Sequence, residues 1–172
     1  VDIVAEAPDR FTREIRIAAE TALAQVAGAV IRTRFHFQEV MSEDDILAAL
    51  HRIRKRGSQG VCLKVRDTPA VRGTVDDLVA AGIPVFTLVT DLPRTERKAY
   101  IGLDNTNAGR TAAYLLSRCL LEKDCHVLTV RSQDAFFGET ERYEAFRAEL
   151  ARLRPDCRVS DVSGGAGLWA DT

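Results

Sequence analysis

The sequence predicts an α/β fold built as a doubly wound parallel sheet. Three observations carry this prediction. Short apolar runs alternate with amphipathic stretches along all 172 residues. The runs begin near Val1, Ala29, Gly60, Ile83, Tyr100, His126 and Arg158, and most of these steps leave room for a strand, a helix and two short turns. The run Ile83–Val89 is apolar almost throughout, as a strand covered on both faces should be. Repeated strand–helix–strand units set neighbouring strands parallel and place helices on both faces of the sheet.

The first strand is Val1–Ala5. A helix follows over Phe11–Val26, where Phe11, Ile15, Ala18, Ala22 and Val26 recur on one face. Gly28-Ala29-Val30-Ile31 begins the second strand. Ser42 opens the next helix: its hydroxyl oxygen can accept an orphan amide proton, and Glu43, Asp44 and Asp45 favour the positive end of the helix dipole. Ile46, Leu47, Leu50 and Ile53 form the buried stripe of that helix. The basic run Arg52–Arg56 sits at its C-terminal end, where cations are favoured, and reads as a solvated terminus before a nucleic-acid patch. Gly60–Val65 is the third strand. Thr68-Pro69 is an N-cap followed by proline at the first helical position; Val71, Val75, Leu78 and Val79 continue that helix and Gly82 stops it.

Ile83–Val89 is the fourth strand. The polar segment Leu92–Lys98 reads as a surface loop, too short for a helix, leading to a fifth strand at Tyr100–Leu103. A helix over Asn107–Leu121 carries Ala108, Ala112, Leu115, Cys119 and Leu120 near one face. His126–Val130 is the sixth strand. The helix Glu139–Leu153 turns Tyr143, Phe146, Leu150 and Leu153 inward, and Arg158–Val162 is the seventh strand.

Hydrophobic residues make up 46% and charged residues 28%, a balance ordinary for a globular chain. The net charge of −1 excludes a global basic field for nucleic acid or an anionic membrane. No apolar run approaches the ~20 residues of a membrane helix, and the first residues read as a strand without a signal-peptide pattern. The four cysteines, Cys62, Cys119, Cys125 and Cys157, show no Cys-x-x-Cys spacing. They do not combine with His36, His51 or His126 at metal-ligand spacing. The expectation is reduced thiols in a cytoplasmic protein, with no metal site and no cofactor.

Ligands of open α/β sheets bind outside the carboxyl ends of the strands. Those ends carry Asp9-Arg10-Phe11, Phe35-His36-Phe37, Arg66-Asp67-Thr68, Thr90-Asp91, Asp104-Asn105 and, after the sixth strand, the segment from Arg131 to Phe137. Carboxylates and guanidinium groups bond hydroxyls directionally, and aromatic faces pack on the C–H surface of a sugar. The mixture suits a polyhydroxylated small molecule, although Asp9 or Thr68 alone could simply cap a helix and Asp104-Asn105 could be a turn. The dinucleotide fingerprint, the phosphate loop with its lysine and the nucleophile elbow are all missing, which argues against an enzyme. Ser163-Gly164-Gly165-Ala166-Gly167 lacks the lysine of a phosphate cradle and reads as a turn.

Two blocks carry a resemblance. The first is Ile83-Pro84-Val85-Phe86 with Asp104-Asn105-Thr106-Asn107-Ala108-Gly109; the second is Arg142-Tyr143-Glu144-Ala145-Phe146, with Ala145 where glycine is usual. Together they resemble the effector-binding domains of LacI/GalR-family transcription regulators, whose periplasmic-binding-protein-like type I fold is shared with periplasmic sugar-binding proteins. The resemblance implies an N-terminal lobe over residues 1–103, a crossover and incomplete C-terminal lobe over 104–172, and a sugar or polyol held between lobes. It places Phe11, Asp67, Thr90, Asp91, Asp104, Phe136 and Arg142 at the ligand, with Arg142 binding ligand oxygens. Arg10 is unusual in its loop, and Val89 stands where sugar binders often place a polar residue.

The resemblance further implies a non-enzymatic sensor that works as a homodimer and reaches operator DNA only through a helix-turn-helix absent from this sequence, with no membrane partner. A chain with an incomplete second lobe should leave apolar faces of its last strands bare. The alternative is a periplasmic sugar-binding protein of a transporter, the same fold in another compartment.

Overall fold

The computed structural model describes residues 1–28, 30–120, 123–131 and 136–163. In chain order the elements are β1 (Asp2–Glu6), α1 (Asp9–Ala24), β2 (Arg34–Gln38), α2 (Glu43–Arg56), β3 (Val61–Lys64), α3 (Pro69–Ala80), β4 (Val85–Leu88), β5 (Ala99–Ile101), α4 (Asn105–Cys119), β6 (His126–Arg131), α5 (Phe137–Leu153) and β7 (Arg158–Ser163). They divide into two compact units, Val1–Ile101 and a second beginning at Gly102. The expected glycine-rich turn lies outside the described residues from residue 164 on, as do residues 132–135 after the sixth strand.

The first unit is a five-stranded, wholly parallel sheet of order β2-β1-β3-β4-β5. Its register separates two faces. Val4 lies beside Leu63, and Val61 beside Val85. With Ile46, Leu50 and Ile53 of α2 and Val71, Val75 and Leu78 of α3, these residues form one fully buried core. On the opposite face, Ile3 lies beside Phe35 and Ala5 beside Phe37, and Arg16 of α1 stacks on Phe35 with its guanidinium carbon 4.2 Å from the ring centroid. Helices therefore lie on both faces, as the alternation of elements requires.

Local capping explains where the helices start and stop. The Ser42 hydroxyl accepts from the Asp45 amide at 3.1 Å, and the Asp45 carboxylate accepts from the Ser42 amide at 3.0 Å, a closed capping box. Thr68 accepts from the Val71 amide at 3.3 Å ahead of Pro69. Gly57 ends α2 at φ +84°, and Gly82 follows α3 at φ +79°, a left-handed backbone that glycine adopts without steric cost. The basic last turn of α2 is tied locally: Arg54 donates to Asp77 at 3.0 Å and Arg56 to Asp2 at 2.6 Å.

Three expectations are corrected. The second strand does not begin at Gly28–Ile31 but at Arg34, and Val30 is 90% exposed. The register is fixed by Asp2, whose carboxylate is wholly buried. Its Oδ1 meets His36 Nε2 at 2.9 Å, and Arg34 lies 3.8 Å from its Oδ2. A slip by one residue would turn both basic side chains to the other face. Next, the α1 stripe is Phe11, Ile15, Ala19 and Leu23, each half-buried, while Ala18, Ala22 and Val26 face solvent. Finally, Cys125 and Cys157 are not thiols but a disulfide. The parallel ladder pairs His126 with Arg158, so the preceding residues lie side by side with Cα atoms 4.8 Å apart, a spacing suited to a bridge.

The second unit is smaller. The ladder β6–β7 is parallel, and α4 packs along α5. A Cβ on Gly109 would stand 2.2 Å from the Arg142 carbonyl oxygen and 2.9 Å from the Phe146 nitrogen, so this helix pair closes only over glycine. Val127, Thr129 and Val159 are half-buried on one face of the ladder; Leu128, Val130 and Val162 are exposed on the other. Bare apolar strand faces of this kind were expected.

Candidate functional site

In the first unit the carboxyl ends of β1, β3 and β4 are neighbours, and four of the expected residues stand there. Phe11 occupies the first turn of α1, half-buried, with the Lys64 ammonium 5.9 Å from its ring centroid. Lys64 also donates to the Glu6 carbonyl at 2.7 Å, and Arg66 forks onto the Glu6 carboxylate through Nε at 3.1 Å and through Nη2. Asp67 is held by Arg72 through Nε and Nη2 at 2.5 and 2.8 Å, which turns it toward its own helix. Thr90 is buried, its amide donating to Leu88 at 2.6 Å.

Asp91 organises the link from β4 to β5. Its Oδ1 accepts from Thr87 at 2.7 Å, from the Leu92 amide at 2.8 Å and from Arg97 at 2.5 Å; its Oδ2 accepts from Arg97 at 2.5 Å. Burial pushes this carboxyl up, but the Arg97, Thr87 and Leu92 bonds outweigh burial and hold it below its ordinary value. Between Thr90 and β4 stands Val89, exposed at 42% and at φ +65°, a left-handed conformation rare for a β-branched residue. Its amide donates to Ile101 and its carbonyl accepts from Tyr100, both at 2.9 Å.

In the second unit, Asp104 caps α4: Oδ1 accepts from the Asn107 amide at 2.9 Å and Oδ2 from the Asn107 side chain at 2.6 Å. Beside it, Asn105 is buried and its Oδ1 accepts from Arg142 Nε at 3.1 Å and Nη2 at 2.9 Å. A Cβ on Gly138 would stand 2.7 Å from the Asn105 side-chain nitrogen, so the first turn of α5 is glycine where it meets Asn105. Phe136 immediately precedes α5 and is half-buried, its carbonyl accepting from the Glu139 amide at 3.1 Å. The structure thus gathers Asn105, Arg142 and Gly138 at one spot.

Arg142 lines a cavity of about 350 Å³ together with Arg131, Glu139, Tyr143, Thr129 and Phe146. This volume falls within the range of roughly 300–1,000 Å³ for small-molecule sites. One carboxylate orders its wall: Asp161 accepts from Arg131 Nη2 at 2.7 Å and from the Tyr143 hydroxyl at 2.9 Å, while the Arg131 guanidinium lies 4.2 Å over the Tyr143 ring. Arg131 and then Tyr143 hold Asp161 below the usual carboxylate range. Burial, with the facing Asp161, raises the Tyr143 phenol, so the hydroxyl stays protonated at neutral pH. The cavity offers fixed cations, a carboxylate and aromatic faces, a set that grips hydroxyl groups and packs on C–H surfaces.

Glu139 and Tyr143 line this cavity without having been singled out as ligand residues from the sequence, and Arg131 was placed only within a polar strand end. Tyr143 reads as core because it falls on the apolar face of its helix, and Arg131 ends a strand as any solvated residue does. The signal that finds them is the register pairing Arg131 and Ser163 at the same end as Asp161. Among the described residues, the grouping with metal-ligand spacing is Cys125, Asp156 and Cys157, but its sulfurs are joined and Arg154 holds its carboxylate. No described helix is long and apolar enough to cross a membrane.

A parallel α/β sheet with polar loops at its carboxyl ends, followed by a second α/β unit with its own polar cavity, defines the class: a periplasmic-binding-protein-like fold of type I. The periplasmic binding protein domain family matches residues 3–171, and the chain belongs to that family, a family of binding proteins. Among solved structures it is similar to a protein from Bacteroides fragilis assigned as a LacI transcriptional regulator (16% identity, TM-score 0.82, covering 98% of this chain and 60% of the other). It is also similar to GanP, a glucose-galactose binding protein from Geobacillus stearothermophilus (18%, 0.79, 94% and 56%). A third is a transporter solute-binding protein from Agrobacterium vitis with bound D-fucose (18%, 0.76, 92% and 55%). The chain spans between 54% and 60% of the length of such structures. No curated protein sequence matches it significantly.

Proposed function

We propose that this chain binds a sugar or polyol and serves as the effector-sensing part of a LacI-type transcription regulator. The observation that carries the ligand class is the Arg131–Arg142–Glu139–Tyr143 cavity, whose charged and aromatic groups suit a neutral polyhydroxylated molecule; the structural neighbours that bind glucose, galactose or D-fucose support it. The regulator role rests on the Asp104–Gly109 and Arg142–Phe146 blocks and on the Bacteroides neighbour. In this reading the protein is cytoplasmic, acts as a homodimer, and ligand shifts its conformational equilibrium by binding one state more tightly. Arg142 contacts ligand from that cavity, and Phe11, Asp67, Thr90, Asp91, Asp104 and Phe136 remain candidate ligand residues on their own units. The role is binding, without catalysis.

A second reading has its own observation. The Cys125–Cys157 disulfide suits an oxidising compartment and hence an exported sugar-binding protein of a transporter.

The test is thermal unfolding of the protein carrying this chain against glucose, galactose, fucose, arabinose and common polyols. A ligand at ~100-fold over its dissociation constant stabilises by about 2.7 kcal/mol and raises the midpoint by several degrees. The expected result is a shift with one stereochemical class that disappears in Arg142→Ala. A folded protein with no shift across the panel would refute the ligand class. Alkylation of Cys125 and Cys157 in intact cells separates the two roles: reactive thiols mark the regulator, a protected bridge the exported protein.

A further inference from the structure

The two sulfurs of the Cys125–Cys157 bridge sit in different surroundings. Both cysteines are half-buried, but Cys157 forms part of the wall of a cavity of about 390 Å³ that Arg147 and Glu144 also line. Cys125 carries a guanidinium: Arg154 Nη2 lies 3.8 Å from its Sγ. Arg154 is fixed in that position. It donates to the Leu120 carbonyl at 2.6 Å, and it grips Asp156 through Nε–Oδ1 at 2.9 Å and Nη2–Oδ2 at 2.7 Å.

We propose that this bridge is a thiol–disulfide exchange site of fixed polarity, at which an incoming thiolate attacks Sγ of Cys157 and Cys125 leaves as the thiolate. Exchange requires access to the attacked sulfur and speeds up as the departing thiol becomes more acidic. The cavity supplies access to Cys157, and Arg147 in its wall favours an anionic nucleophile. The Asp156 carboxylate lies within 4.8 Å of both sulfurs and bears on both, whereas the Arg154 N–H points at Cys125 and favours negative charge there, as a neighbouring cation does for reactive cysteines. The co-reactant is a low-molecular-weight thiol or a dithiol. In the first step its sulfur bonds to Cys157 while the bond to Cys125 breaks, with the electron pair leaving on Cys125. A second thiolate then attacks the reductant sulfur of the mixed disulfide and releases Cys157. Two electrons pass from the reductant to the bridge, the reductant ends as its disulfide, and its two protons end on the cysteines. Asp156 acts here by positioning Arg154.

The experiment uses the full chain carrying Cys119→Ser, which removes the exposed thiol; Cys62 is half-buried, and burial raises its thiol. The native protein receives a short pulse of reduced glutathione, is quenched with N-ethylmaleimide, and its peptides are mapped by mass spectrometry. Glutathione on Cys157 with maleimide on Cys125, about tenfold over the reverse pattern, is the expected result. Arg154→Gln should slow adduct formation severalfold and level the preference, and Arg154→Lys should restore both, with circular dichroism confirming that each variant folds. Glutathione on Cys125, an even division, or no adduct until denaturant is added would each overturn the proposal, and the mapping without any Arg154 variant already decides among them.

Discussion

The two units solve the same packing problem with different means. In the first, α2 and α3 bury a continuous aliphatic layer against β1, β3 and β4, and its polar groups are fastened at the margins: Asp2 by His36 and Arg56, Asp91 by Arg97. In the second, two strands have one covered face, with Leu128, Val130 and Val162 exposed on the other. Cohesion there comes from one helix pair locked over Gly109, from the Arg142–Asn105 and Asp161 bonds, and from a covalent bridge. A unit with little core needs specific ties, and Gly109, Arg131, Arg142 and Tyr143, which take part in them, also line its cavity.

The comparison can be broken most forcefully at the bridge. Its sequence separation of 32 residues implies that Cys157→Ser costs roughly 3–4 kcal/mol. Segment-resolved hydrogen exchange should show that loss in α4, α5, β6 and β7 and leave β1 and β3 protected. Leu50→Ala, in the core of the first unit, should cost about 3 kcal/mol, with the opposite distribution of lost protection. Gly109→Ala should cost about 2 kcal/mol through overpacking against the Arg142 carbonyl, read as a lowered urea midpoint together with weaker ligand binding, because the same turn of α5 carries Arg142.

The smallest effect is acid. Asp2 is pushed up by burial, but hydrogen bonds led by His36 bring it below the ordinary 3.8, and Asp91 is likewise lowered. Their contribution is complete above that ordinary value and is lost as pH falls through the lowered ones, so urea midpoints of the first unit should fall progressively as pH drops below about 4. An unchanged midpoint would remove these carboxylates from the account of stability.

What was legible in the sequence was local. Ser42 with Asp45, Thr68 with Pro69, and Gly82 act within a turn of their own positions, and the helices they bound were placed closely. The second strand was not legible, because its register depends on His36 meeting Asp2 across 34 positions. Val30 and Ile31 are the more apolar run, yet they carry no partner for a buried carboxylate. The disulfide was hidden for the same reason: the sulfurs meet only because β6 pairs with β7. At the candidate site, Arg142 and Asn105 were readable as a motif, and the structure gives the cause: Gly138 leaves the space the Asn105 side chain occupies, and Gly109 lets α4 approach the backbone of α5 at Arg142. Tyr143 was not readable, because an aromatic residue on an inward face looks the same whether it lines a core or a cavity.

The link around Asp91 also bears on the order in which the sheet assembles. Parallel neighbours usually wait for an intervening helix, as Asp2 must wait for Val61. Phe86 and Ala99 pair across residues 89–98 alone, which fold on one carboxylate. Closing so short a loop costs little chain entropy, so this edge is the kinetically nearest pairing in the sheet. In pulse-labelled refolding its amides should gain protection ahead of those of β2, and the outermost strand would then be a starting point of the fold rather than its last addition.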